Sequence, residues 1–405
     1  MTNEIASVVV EVMPHFEGYA YPNEAGPHPL WGFLIVLYPY ITGLVAGAFI
    51  VSSLYHVFGR EELKPIARFS LASAFVFLLF ATLPLLIHLG HPERAFNIMI
   101  TPHFTSAMAG FGYIYSAYLI LVVLELWFAL RSDLLARAGG KGPIAWFCRA
   151  VTLFNRADTA ATREADHRIV KFLACLGIPL ACTLHGYVGF LFGSIKANPW
   201  WSTPLMFIIF IFSAIVSGIS VLIFHYFVVA RINGWKVDAA CVRSLGKYLW
   251  GFMMIAISLE LMELLSIAYE QTEQTHVLAR LIYDKLFVSY IVLQFGVFSL
   301  VPFLLLALTA LFRLRERTAH VLIWLSATML LAQVLLMRWN VVIGGQLVSK
   351  SMRGFTSYMP GVWEKEGLIT AAVIFTLPFG ILYVFHQIVS LFPDVEKKQV
   401  PALGD

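Results

Sequence analysis

The chain is dominated by a succession of apolar runs, each about as long as a bilayer is thick. A helix rising about 1.5 Å per residue needs about 20 mainly apolar residues to cross the hydrocarbon. Nine segments meet that need: 31–58, 66–89, 105–130, 170–193, 204–230, 247–269, 286–312, 320–343 and 368–391. Glycine and proline inside them, as in LACLGIPLACTLHGYVGFLFG, are ordinary in membrane helices. Only 13% of the 405 residues are charged, about half the share a soluble chain uses to cover its surface. Lipid is therefore the expected solvent. The expected fold is an all-α integral membrane protein, with about nine transmembrane helices as two four-helix bundles plus a C-terminal helix. The division would be 1–29, an outer N-terminal segment; 30–203, the first bundle; 204–345, the second; and 346–405, an outer loop, the last span and an inner tail.

Charge sets the orientation. The first 29 residues carry four glutamates and no Lys or Arg. With that segment outside, the inner connections collect Arg60, Lys64 and Arg68, then eight basic residues from Arg131 to Lys171. They also collect Arg231, Lys236, Arg243 and Lys247, then Arg313, Arg315 and Arg317, and finally Lys397 and Lys398. That is 20 of the 28 basic residues, so the positive-inside rule places the N-terminus outside and the C-terminus inside. A bacterial or archaeal cytoplasmic membrane is the expected location. The basic 131–169 connection is explained by inner-leaflet electrostatics, and no nucleic-acid role is expected. The N-terminus, MTNEIASVVVEVMPHFEGY, lacks a basic n-region and a long apolar core, so no cleaved signal peptide is expected. Cys148, Cys175, Cys182 and Cys241 form no CxxC or CxxCH pattern, which argues against an iron–sulfur cluster or covalent haem in this chain.

Ionisable groups inside hydrocarbon are expensive unless paired, and each is a candidate for function. His88 ends the second span, His185 lies in the fourth, Glu263 in the sixth and Arg338 in the eighth. Counted from their inner ends, Glu263 and Arg338 reach similar depth. The expectation is that Glu263, with Glu260 on the same helix face, neutralises Arg338 and forms a buried ion pair or proton route. A weak internal repeat relates the halves: a shift of 175 aligns Arg68 with Arg243 and His88 with Glu263, and a shift of 153 aligns His185 with Arg338. Two outer connections are also distinctive, HLGHPERAFNIMITPHF and FGSIKANPWWSTPL. His91, Glu93, Arg94 and Lys196, with Trp200 and Trp201 as interfacial belt residues, would form a docking surface for an outer-face partner.

At these stretches the sequence resembles the membrane subunit of polysulfide reductase and its relatives, the NrfD/PsrC-like family. HLGHPERAFN, HGYVGFLFGSIKANPWWSTPL, SGIS at 217–220 and RWNVVIGGQLVSKS carry the resemblance, which spans roughly residues 30–390. The length is similar to that of the family's long branch. The resemblance implies a subunit without haem or iron–sulfur cluster that binds a quinone, menaquinone or ubiquinone. It further implies electron exchange with an iron–sulfur, ferredoxin-like partner on one membrane face, and a catalytic redox subunit, often a molybdopterin enzyme. Shorter members hold quinone through polar residues of the first span and a tyrosine of the fourth. Here the first span offers Tyr38, Tyr40 and Thr42 but no histidine, and Tyr187 beside His185 matches the fourth-span position.

Quinone reduction consumes two electrons and two protons, so its site needs donors for two carbonyls and a proton route. Tyr38, Tyr40, His88, His185 and Tyr187, at the outer end of the first bundle, are the expected quinone residues. Two other classes remain open on the residues alone. One is a b-type cytochrome with His88 and His185 as axial ligands; the other is a secondary transporter or proton channel using Glu263.

Overall fold

The computed structural model describes residues 11–12, 31–103, 105–153, 158–349 and 352–393. Most of the 1–29 segment and the tail bearing Lys397 and Lys398 lie outside the described residues. Within them, nine helical segments are long and apolar enough to cross a membrane, in the order read from the sequence. The first span is α1 (Phe33–His56) and the second is α2 (Lys64–Ala81) continued by α3 (Leu83–His88). The break falls at Thr82, just before Pro84, whose ring nitrogen has no hydrogen to donate. A short helix α4 (Asn97–Ile100) lies in the next connection. The third and fourth spans are α5 (Ala107–Ala138) and α7 (Ala160–Gly193), with α6 (Pro143–Val151) between them. Then follow α8 (Met206–Asn233) and α9 (Ala239–Glu270). The seventh span joins α10 (Glu273–Leu281), a wide π-type stretch Ile282–Leu300 and α11 (Val301–Leu311). The last two spans are α12 (Glu316–Val342) and α13 (Leu368–Ile388).

Helix ends depart from the apolar runs mainly at the end where the basic connections gather. There α5 runs on to Ala138, α7 starts at Ala160 and α9 at Ala239. Hydropathy stops at the hydrocarbon boundary, whereas a helix stops where its backbone is capped. The Thr159 hydroxyl accepts from the Thr162 N–H at the start of α7, and the Asp238 carboxylate accepts from the Ala240 and Cys241 N–H groups at the start of α9. The helix α6 was not anticipated in the basic connection. It buries Ala145 and Cys148 beneath exposed Ile144, Trp146 and Phe147.

The central helix is α1, buried along almost its whole length against α2, α7, α8 and α12. Around it α2/α3, α5 and α7 pack on one side and α8, α9, α10/α11 and α12 on the other, with α13 lying on α1 and α2. The groups are fused across α1 and α8. A methyl group added at Gly47 would come within 2.5 Å of the Ala214 carbonyl oxygen and 2.6 Å of the Gly218 Cα. Small residues let membrane helices approach this closely, and dispersion between their backbones then substitutes for the hydrophobic effect that lipid removes. At the basic end Arg131 and Asp166 pair at 2.8 Å between α5 and α7, and Arg68 pairs with Asp133 between α2 and α5. At the opposite end a two-residue antiparallel contact joins β1 (Glu11–Val12) to β2 (Gly354–Phe355).

Candidate functional site

Arg338 sits near the end of α12 opposite the basic connections, with no solvent exposure. Its Nη2 donates to Ser213 Oγ at 2.7 Å, approaches His185 Nε2 at 3.1 Å and reaches the Phe210 carbonyl at 3.4 Å. The guanidinium carbon lies 3.7 Å over the Phe210 ring, against which the His185 ring also stacks. The buried charge is thus met by a hydroxyl, a carbonyl and an aromatic face. The expected ion pair with Glu263 or Glu260 is not made: among the described residues no carboxylate lies within 4.0 Å of Arg338. Glu263 lines one cavity with Met337 and Asn340, the neighbours of Arg338 on α12, but the Arg338 side chain turns towards α7 and α8 instead of α9. It meets the repeat-related His185.

This geometry fixes the imidazole. A guanidinium can only donate, so His185 Nε2 accepts, and the ring hydrogen of the neutral side chain sits on Nδ1. That Nδ1 is buried and has no hydrogen-bond partner among the described residues. The His185 Cε1 atom faces α1, where a methyl group on Gly43 would lie 3.3 Å from it.

Glu260 instead belongs to a second network. Its carboxylate accepts from Gln294 Nε2 at 2.8 Å, and Gln294 Oε1 accepts from Asn340 Nδ2 at 2.8 Å. Asn340 Oδ1 accepts from the Ser289 hydroxyl, and the Asn340 carbonyl accepts from the Trp200 indole N–H at 3.0 Å. Glu260 and Glu263 both line a cavity of about 20 Å³ with Tyr290, Gln294, Asn340 and Trp200, enough for a single water. Gln294 and Asn340 were not singled out from the sequence. The signal was there, since an amide inside an apolar run needs partners for both its ends.

Three of the five expected quinone residues are committed to partners within the protein. The Tyr40 hydroxyl donates to the Leu331 carbonyl on α12 at 3.1 Å, and the Tyr187 hydroxyl to the Ala107 carbonyl on α5 at 2.8 Å. His88 is held by Glu366 at 2.8 Å, tying α3 to the turn before α13. It takes a different partner from His185, which meets Arg338. Tyr38 packs edge-on against Phe111 of α5, and its buried hydroxyl has no partner among the described residues. Among the described residues, Tyr38 Oη, His185 Nδ1 and Arg338 Nε are therefore the buried donors left without a partner around this site.

The docking residues also divide. His91 and Glu93 are exposed and bonded to each other at 2.9 Å, and Arg94 in the same connection and Lys196 in another are exposed as well. Trp200 and Trp201 are 7% and 5% exposed, which corrects their reading as belt or docking residues. Their indole N–H groups donate to the Asn340 and Val341 carbonyls, where the end of α12 frees them. A side chain at Gly345 would overlap the Trp201 indole, and Asn198 Nδ2 donates to the Gly345 carbonyl at 2.6 Å. The stretches ANPWW and RWNVVIGGQ are thus two halves of one packed corner, which Gln346 extends to Trp31 through bonds of 2.9 and 3.0 Å.

Known proteins are similar to this chain along most of its length. A selenate reductase subunit from Mesobacillus selenatarsenatis is 30% identical over 380 residues, covering 88% of this chain and 86% of that protein. An Hdr-like menaquinol oxidoreductase integral membrane subunit from Archaeoglobus fulgidus is 22% identical, over 84% of this chain and 75% of that one. The protein NrfD of Escherichia coli is 26% identical over 56% of this chain and 70% of its own. The family model for polysulphide reductase, NrfD, matches residues 22–350, and the chain belongs to that family of multi-pass membrane proteins.

Proposed function

We propose that this chain is the quinone-reactive membrane subunit of a respiratory redox complex, with the N-terminus and the His185 end of the molecule facing the outer compartment. The reading rests above all on one observation, the buried Nδ1–H of His185, held outward by Arg338 and lacking a partner among the described residues. An orphaned donor in an apolar interior costs about 1–3 kcal/mol, and a ligand carbonyl would relieve that cost. The residues fit a quinone through their free donors. His185 Nδ1 and Tyr38 Oη would serve carbonyl oxygens among apolar and aromatic neighbours, whereas Tyr40, Tyr187 and His88 spend their polar groups on the protein.

A bound quinone supplies the two-electron, two-proton chemistry. His185 would hold a proton at Nδ1, beside the reacting oxygen. Arg338 would keep Nε2 occupied and so maintain that tautomer, and its fixed positive charge would favour negative charge gathering nearby. The exposed His91, Glu93, Arg94 and Lys196 would face an iron–sulfur partner subunit, with a catalytic subunit beyond it. Proton translocation coupled to this chemistry would use the buried acids of the spans.

The test compares quinone-linked with dye-linked turnover of the assembled complex. His185→Ala should lower quinone-linked turnover at least about tenfold, the equivalent of 1.4 kcal/mol, while the dye-linked activity of the catalytic subunit persists. Unchanged quinone-linked turnover in both His185→Ala and Tyr38→Phe would reject this site.

A further inference from the structure

One buried acid is used by none of the networks above. Glu125 lies in the middle of α5 with no solvent exposure, and neither carboxylate oxygen has a hydrogen-bond partner among the described residues. An isolated carboxylate in such surroundings is expensive, whereas the neutral acid is tolerated. Two turns away on the same face, the Tyr118 hydroxyl is likewise buried and unpartnered among the described residues, its ring against Phe49 of α1. In the other direction, Phe128 and Ala129 lie three and four residues on and Ser132 seven residues on, all on the face of Glu125.

Those three residues line a cavity of about 400 Å³ at the basic end of the bundle, between α1, α2, α5 and α7. Its polar lining consists of charged groups, Tyr55, Ser132, His167 and His56, the last with both ring nitrogens buried and without a partner among the described residues. Most of the lining charges are compensated: Arg68 is paired with Asp133, Asp166 with Arg131 and Arg163 with Asp158, and Lys64 is exposed to solvent. A compensated polar cavity has little reason to concentrate an anion, but it is large enough for several waters.

We propose that Glu125 is a proton-carrying site loaded from the aqueous phase at the basic end through this cavity, with His56 as a relay in its wall. The Glu125 O–H bond breaks as its proton passes to an acceptor deeper in the bundle. It re-forms with a proton delivered by cavity water, and no electron moves. The destination of the proton rests on the quinone reading; the loading of Glu125 does not.

Infrared difference spectroscopy of the complex in membranes, on transfer from H₂O to D₂O, decides between outcomes. A carboxylic-acid carbonyl band should shift on exchange, be absent in Glu125→Gln and reappear in Glu125→Asp. Plugging the cavity with Ala129→Trp should slow the exchange at least about tenfold without removing the band. A band unaffected by Glu125→Gln, or exchange at the original rate in Ala129→Trp, would overturn the proposal. Should Glu125→Gln not assemble, mass spectrometry of wild-type complex treated with dicyclohexylcarbodiimide replaces it. An adduct on Glu125 that Ala129→Trp suppresses supports the route, and absence of any adduct there rejects it. All these readouts are independent of quinone, so a quinone site lost elsewhere would leave them intact.

Discussion

His185 and Arg338 stand 153 residues apart in the chain, yet their side chains meet at 3.1 Å, at the junction of the two helical groups. Contact of this kind makes their substitutions non-additive. In a double-mutant cycle of His185→Ala and Arg338→Gln, assembly measured in mild detergent should show a coupling of about 0.6–1.7 kcal/mol, the range for polar contacts between membrane helices. The parallel cycle of Glu263→Gln with Arg338→Gln should be additive within about 0.5 kcal/mol. Coupling in the second cycle and none in the first would restore the pairing with Glu263.

The approach of α1 to α8 makes a sharper demand. A methyl group at Gly47 already meets the backbone of Gly218 and Ala214, and that backbone cannot rotate aside as a side chain can. Gly47→Val should therefore cost about 3 kcal/mol or more and leave little assembled protein after membrane extraction. At Gly251 of α9 nothing lies within 4 Å of an added Cβ, so Gly251→Val should leave the yield nearly unchanged. Equal loss in both variants would deny the close packing.

The spans and their order were legible because a bilayer imposes one length on every apolar helix. Arg338 and His185 stood out for the same reason, as polar groups that lipid would not tolerate. Which group each side chain meets was not legible, because partner choice depends on helix rotation, and one step along a helix turns a side chain by about 100°. That is why depth alone suggested Glu263 for Arg338. Glu125 was overlooked in VVLELWF although its signal is at least as clear as that of Glu263, a carboxylate in an apolar run. Trp200 and Trp201 were misread because an interfacial tryptophan and one capping the carbonyls of a helix end look alike in sequence.

At the basic end, Arg131 and Asp166 are largely withdrawn from solvent, with side chains 10% and 12% exposed. Removing one partner leaves the other buried and unpaired. Asp166→Asn should destabilise the α5–α7 contact by about 3–5 kcal/mol, read as a lower temperature of aggregation in detergent. The double variant Arg131→Met with Asp166→Leu should recover most of that loss, since an apolar pair of similar volume carries no stranded charge. A double variant as unstable as the single one would mean that the pair contributes by more than mutual neutralisation.

The last expectation concerns orientation and partner together. Lys196 and Glu93 are exposed in connections at the His185 end, and Lys141 is exposed in the basic connection at the other. The basic connections favour the inner side by the positive-inside rule, which leaves the first two positions outside. In a background lacking the four native cysteines, a cysteine placed at 196 or 93 should react with a membrane-impermeant thiol reagent added to intact cells. A cysteine at 141 should react only after lysis. If an iron–sulfur subunit docks on the outer loops, a photocrosslinker at 93 or 196 should capture it within the assembled complex, and labelling at 196 should fall when that subunit is present. Reaction at 141 in intact cells, with 93 and 196 protected, would invert the topology and move both the quinone site and its electron partner to the inner face.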